Sequence, residues 1–225
     1  MNDKTAKLER SLKSLSLKWL VALASADAVV LALFVAPELI TSASATQLGV
    51  YRAIGTAVIP VLVLLLVNVL SSNVKAMLVY WKSLGWLPGS EAFTKYGPAD
   101  PRVDMVALRK NVGAWTNDPK EQNAKWFKLY KLVENVTEVA ASQKDFLMYR
   151  DMAVLSLPLI MLAPLGLYFA DASGKAMATA AGMFFVQYVL TAVSARHAGE
   201  RFVCNVLALH SAKKITDKAP AAKAG

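Results

Sequence analysis

The chain has 225 residues, of which 56% are hydrophobic, and a formal charge of +9, whereas a water-soluble domain carries about 45–50% apolar residues. A single cysteine, Cys204, excludes an intramolecular disulfide. With only two histidines, His197 and His210, and no Cys/His ligand spacing, no structural zinc or other cofactor is expected.

A basic leader occupies residues 1–18. Crossing about 30 Å of hydrocarbon takes roughly 20 mostly apolar residues, and four such segments follow at about 19–40, 54–70, 152–170 and 176–195. Short connections at 41–52 and 171–175, the second holding Gly174, join them as two hairpins spanning 19–71 and 151–196. The Ala43-Ser44-Ala45 sequence resembles a signal cleavage site. The run before it is longer than the roughly 7–15 residues of a signal core and is interrupted by Asp27, so a retained first span is expected. The fold class predicted is an all-α integral membrane protein: four transmembrane helices in two hairpins, with a helical cytosolic domain at 72–150 and a cytosolic helix and disordered tail at 197–225.

Basic residues close to span ends are retained in the cytoplasm. The leader carries five, the block from Lys75 to Arg150 twelve and the tail from Arg196 six, against one each in the short loops, Arg52 and Lys175. This predicts N-in, C-in topology. It also accounts for the positive charge without nucleic acid, since the middle block balances its twelve bases with nine acids up to Asp151. The surplus suits anionic lipid headgroups as partner.

Between the hairpins, the second span is expected to continue as a helix through Val74, Leu78 and Trp81, ending at Leu87-Pro88-Gly89-Ser90. That places Tyr80, Trp81 and Trp86 as interfacial aromatics. Asp100-Pro101 predicts a cap and first turn opening a helix over 102–111, and Asn117-Asp118-Pro119 a longer one. On the latter, Trp126, Leu129, Tyr130 and Val133 share a face. These aromatics read as a packed core against the membrane surface rather than a ligand-stacking surface.

Asp27 is the most unusual residue, because a carboxylate within a span is costly and turns to a bundle interior or a polar path. Asn68 and Gln187 are its candidate partners. The expected role is fixing helix packing or subunit register; the sharper alternative is a proton or ion relay. Pro60, Pro158 and Pro164 are expected to bend their spans or free carbonyls for neighbours. At the cytosolic ends of spans three and four, Arg150, Asp151, Arg196, His197, Glu200 and Arg201 are predicted to form an ion-pair cluster. A catalytic alternative uses His197 as base, oriented by Glu200 or Asp151.

The runs Gly97-Pro98-Ala99-Asp100-Pro101-Arg102-Val103-Asp104, Gln122-Asn123-Ala124-Lys125-Trp126-Phe127-Lys128-Leu129-Tyr130-Lys131 and Phe146-Leu147-Met148-Tyr149-Arg150-Asp151 are similar to bacterial inner-membrane proteins with two helical hairpins flanking a cytosolic helical insert. That resemblance spans roughly residues 70–205 and implies architecture and bacterial origin, not activity. The function expected is a non-enzymatic, homo-oligomeric sensor, signal transmitter or membrane-permeabilising component. By analogy alone this is a defence effector with a cytosolic protein partner. The alternatives are a small ion or solute channel using Asp27, and a membrane enzyme at the cytosolic lipid face using His197, Glu200 and Arg150.

Overall fold

A computed structural model describes residues 18–29, 65, 68–82, 85, 87–169 and 171–215. The leader, the rest of span one, Pro60 with most of span two, the loop at 41–52, Trp86 and the tail beyond 215 lie outside the described residues. Among the described residues every regular element is helical and there is no strand. We number the helices α1 (18–29), α2 (Ser72–Tyr80), α3 (Met105–Val112), α4 (Pro119–Val133), α5 (Thr137–Phe169) and α6 (Gly174–Ala212). Two of them, α5 with 33 residues and α6 with 39, are long and apolar enough to cross a membrane.

The chain divides into two units, the first comprising residues 1–80 and 147–196 and the second 81–146 and 197–225. In the first unit Leu20, Ala24 and Asp27 recur at i, i+4 and i+7, one face of α1. Leu20 on that face is buried with Met152 and Leu155 of α5, with Leu23, Ala24, Met148 and Tyr149 around them. Helix α5 stays continuous through Pro158 and Pro164.

The turn between α5 and α6 is a two-bond C-cap. The Ala172 amide donates to the Leu167 carbonyl at 3.0 Å and the Asp171 amide to that of Tyr168 at 3.1 Å. This geometry requires a left-handed residue between the two helices, and Asp171 occupies it at φ 52°. The turn thus falls at the start of the short connection expected at 171–175. Gly174 opens α6, behind the Ser173 hydroxyl that accepts from Ala176 N. Leu167, Ala176 and Ala180 close the hairpin tip as a small apolar cluster, with Ala172 against it.

Helix α2 does not continue span two. Residues 68 and 69 are helical, the chain bends at Leu70, and a new helix starts behind Ser71. The Ser71 hydroxyl accepts from Val74 N, which satisfies a first-turn amide and favours this restart. The helix ends at Tyr80 because Trp81 takes a left-handed φ of 51°, so the expected run to Leu87 is not made. Carbonyls left over at a helix C-terminus need outside donors. Those of Leu78 and Val79 receive the Tyr188 hydroxyl at 2.8 Å and Arg196 Nε at 2.7 Å.

The second unit begins with tight turns, a 3-10 turn at Pro88–Glu91 and a wide π turn at Ala92–Tyr96. Gln122 of α4, itself buried, accepts from Phe93 N at 3.2 Å, which ties the π turn to α4. Gly89 is required by space: a Cβ there would meet the Trp126 ring at 2.6 Å. As the sequence predicts, α4 opens with Asp118 as cap and Pro119 in its first turn, the Asp118 carboxylate accepting from Lys120 N and Glu121 N. The helix expected after Asp100-Pro101 starts later. The Asp100 carboxylate is taken by Arg102, through its amide at 2.9 Å and its guanidinium at 2.7 Å, so Asp104 caps α3 instead. Phe93, Leu108, Trp126, Val139, Phe202, Val206 and Leu207 are buried in this unit.

Candidate functional site

In the first unit the structure brings Asp27 and Gln187 together. Gln187 Nε2 donates to Asp27 Oδ2 at 2.9 Å and to Ser156 Oγ at 3.0 Å. The Ser156 hydroxyl in turn donates to the Met152 carbonyl one turn earlier, at 3.0 Å. Thus α1, α5 and α6 each contribute one polar side chain to a single network. Asp27 is 8% exposed and Ser156 fully buried. Buried polar groups cost free energy unless hydrogen-bonded, and here the partners come from three helices, so the network also fixes their register. Asn68, expected as a second partner, lies in an exposed stretch. Ser156 was missed by sequence reasoning. The available signal was that, apart from Tyr168, it is the only polar side chain between Met152 and Phe169.

The six charged residues expected as one cluster divide. Arg150 and Asp151 pair, with Arg150 Nη2 to Asp151 Oδ1 at 2.9 Å. The third member is Lys75 of α2, whose Nζ reaches the same oxygen at 3.1 Å. All three are buried, and pairing is what makes burial of such charges tolerable. Lys75 was read only as a topological charge, because a contact 76 residues distant in sequence leaves no local pattern. Arg196 caps the α2 carbonyl at Val79. His197, Glu200 and Arg201 belong to the second unit.

There His197, Glu200 and Arg201 line an open recess of about 600 Å³ with Tyr96, Asp100, Arg102 and Cys204. The Arg102 hydrogen bond holds the Asp100 carboxyl at about 2, well below the usual range. Arg102 also reaches Asn205 Oδ1 at 3.0 Å. Burial, followed by the nearby Asp100 carboxylate, pushes the Cys204 thiol up to about 12. A thiol so raised supplies almost no thiolate at neutral pH, so Cys204 is not poised as a nucleophile. Burial and then the Glu91 and Glu200 carboxylates push the Tyr96 phenol up as well. No group of three or more His, Cys, Asp or Glu side chains among the described residues is arranged to hold a metal.

Of the expected interfacial aromatics, Tyr80 is buried and Trp81 exposed. Trp126 and Tyr130 stand edge-on to Phe202 with ring centres at 5.0 and 5.2 Å, and both are buried.

Comparison of the chain with protein-family models, curated proteins and solved structures finds no match.

Proposed function

We propose that the chain is a multi-pass membrane protein with four spans in two hairpins, both termini and the second unit on the cytosolic side of a bacterial inner membrane. It acts there without catalysing a reaction, as a homo-oligomeric component that receives or transmits a signal, or permeabilises the bilayer. The observation that carries this reading is the segregation of charge. Residues 19–51, 53–74, 152–174 and 176–195 contain no Lys, Arg or His, while the leader, the middle block and the tail are basic. The surfaces of the long helices agree with it. Met161, Leu165 and Phe169 of α5, and Phe185 and Leu190 of α6, are all at least half exposed, a pattern natural against lipid and unfavourable against water.

Within this reading the second unit is the part that meets a cytosolic partner, and the polar network holds the bundle in register. The channel reading gains one specific support, since Asp27 is hydrogen-bonded across three helices rather than turned to the lipid. Single cysteines placed at residues 45, 120, 173 and 218 of a chain carrying Cys204→Ser, labelled with a membrane-impermeant maleimide in intact and opened cells, test the topology. Positions 45 and 173 should label in intact cells, and 120 and 218 only after opening. Labelling of position 120 from outside would remove the proposal. Native electrophoresis of the extracted chain, with ion flux in liposomes, separates a pore from a closed scaffold.

A further inference from the structure

Among the described residues, no basic side chain is hydrogen-bonded to Asp27. It is 8% exposed, and the side chain that hydrogen-bonds it is the neutral amide of Gln187. The bases on α1 and α6 are remote. Lys18 lies nine residues before it on α1, and Lys175 and Arg196 lie twelve and nine residues from Gln187 on α6. Nine residues of helix extend about 14 Å. On α5 the closest charges to Ser156 are Arg150 and Asp151, which are engaged with each other and with Lys75. The phenol of Tyr149 sits beside the Leu20 cluster on the same face of α1. A carboxylate in such surroundings is stable only when a positive charge joins it. No basic residue lies in the apolar segments, which leaves a cation from solution as a direct partner for the carboxylate.

Three neighbours are equipped to receive it. Asp27 has two carboxylate oxygens, Ser156 offers hydroxyl lone pairs and Gln187 an amide oxygen, and hard monovalent ions prefer oxygen donors of this type. We infer that Asp27, Ser156 and Gln187 form a binding site for one small monovalent cation, a proton or a sodium ion, at the junction of α1, α5 and α6. Rotation of the Gln187 amide exchanges the donor shown for an acceptor without moving any helix. Because the ligands come from three helices, occupancy stabilises their packing. The site thereby couples cation concentration to the state of the bundle; this rests on the proposed membrane reading and gives its sensing role a ligand.

The test uses the full chain in lipid nanodiscs, with Tm followed by tryptophan fluorescence. Sodium chloride replaces choline chloride at constant ionic strength and pH 8, and a second series varies pH from 5 to 8.5 in choline alone. If sodium is the ligand, Tm of the wild type rises with sodium and saturates, by roughly 5–10 °C at a hundredfold excess over the binding constant. Ser156→Ala should then raise the half-saturating concentration at least tenfold, by removing one ligand. If the proton is the ligand, sodium has no effect and the wild type gains Tm on acidification relative to Asp27→Asn. That variant is neutral and nearly isosteric and should ignore both cations. Taking the difference between the two proteins cancels titration elsewhere, including that of His210. Should Asp27→Asn not fold, Asp27→Leu replaces it, with the same loss of response expected, because it too removes the carboxyl. Identical responses of wild type and variant to both cations overturn the inference. The maleimide experiment reads topology independently, so its failure and the failure of this site are distinguishable.

Discussion

A neutral imidazole holds the end of α6 to α4. His210 is 1% exposed, and its Nε2–H donates to the Leu129 carbonyl at 2.9 Å. The Asn111 amide caps the same turn by donating to the carbonyls of His210, at 2.9 Å, and Ser211. Burial lowers the His210 pKa from its ordinary 6.5, and the bond to Leu129 only partly opposes the shift. The unfolded chain therefore takes up a proton below about pH 6.5 that the folded chain resists. Stability is fully present above that pH and declines as pH falls below it, until the folded-state pKa is reached. Wild-type Tm should drop between pH 7.5 and 5, and His210→Gln, which keeps an N–H donor, should show a flatter profile over the same range. An equally steep profile in the variant assigns the acid sensitivity to another group. Nothing in the sequence marked His210, since a lone histidine on a helix acquires this role only from the helix laid against it.

At the level of elements, caps decide where helices begin and end. Asp118-Pro119 was legible because side chain and amide are two or three residues apart and the interaction is local. Asp100-Pro101 carried the same signature, yet its carboxylate was captured by the Arg102 fork, a competitor that a cap rule ignores. The α5–α6 turn places Asp171 in a conformation that costs an L-residue about 1–2 kcal/mol. Asp171→Gly should recover up to about 1 kcal/mol of this, because asparagine and aspartate tolerate the region better than most residues. The gain is expected as a higher Tm for the extracted protein, and Asp171→Val as a lower one. A neutral or destabilising glycine would mean that the Asp171 side chain contributes contacts of its own.

For the whole molecule, the outward surface of the long helices matters as much as their interior. Leu190 is 63% exposed on α6, so its replacement disturbs little internal packing. In lipid, arginine at mid-span raises the insertion free energy by about 2.5–3.5 kcal/mol, and Leu190, five residues inside the end of the 176–195 segment, should bear part of that cost. Leu190→Arg should therefore reduce the fraction resistant to carbonate extraction while leaving the helical content of detergent-solubilised protein intact. Unchanged extraction would place α6 away from the bilayer.

By itself the sequence determined the helical class, the two long apolar helices, the α4 cap and the pairing of Asp27 with Gln187 as candidates. Each rests on periodicity, on local capping or on the rarity of a charge in an apolar run, all of which are readable within a few residues. Only the tertiary structure decided that Ser156 joins Asp27, that Lys75 is buried with Arg150 and Asp151, and that His197, Glu200 and Arg201 share a recess with Asp100 and Cys204. Those contacts depend on the rotation of one helix about its axis relative to another. That rotation is set by the packing of whole faces, which no local pattern encodes.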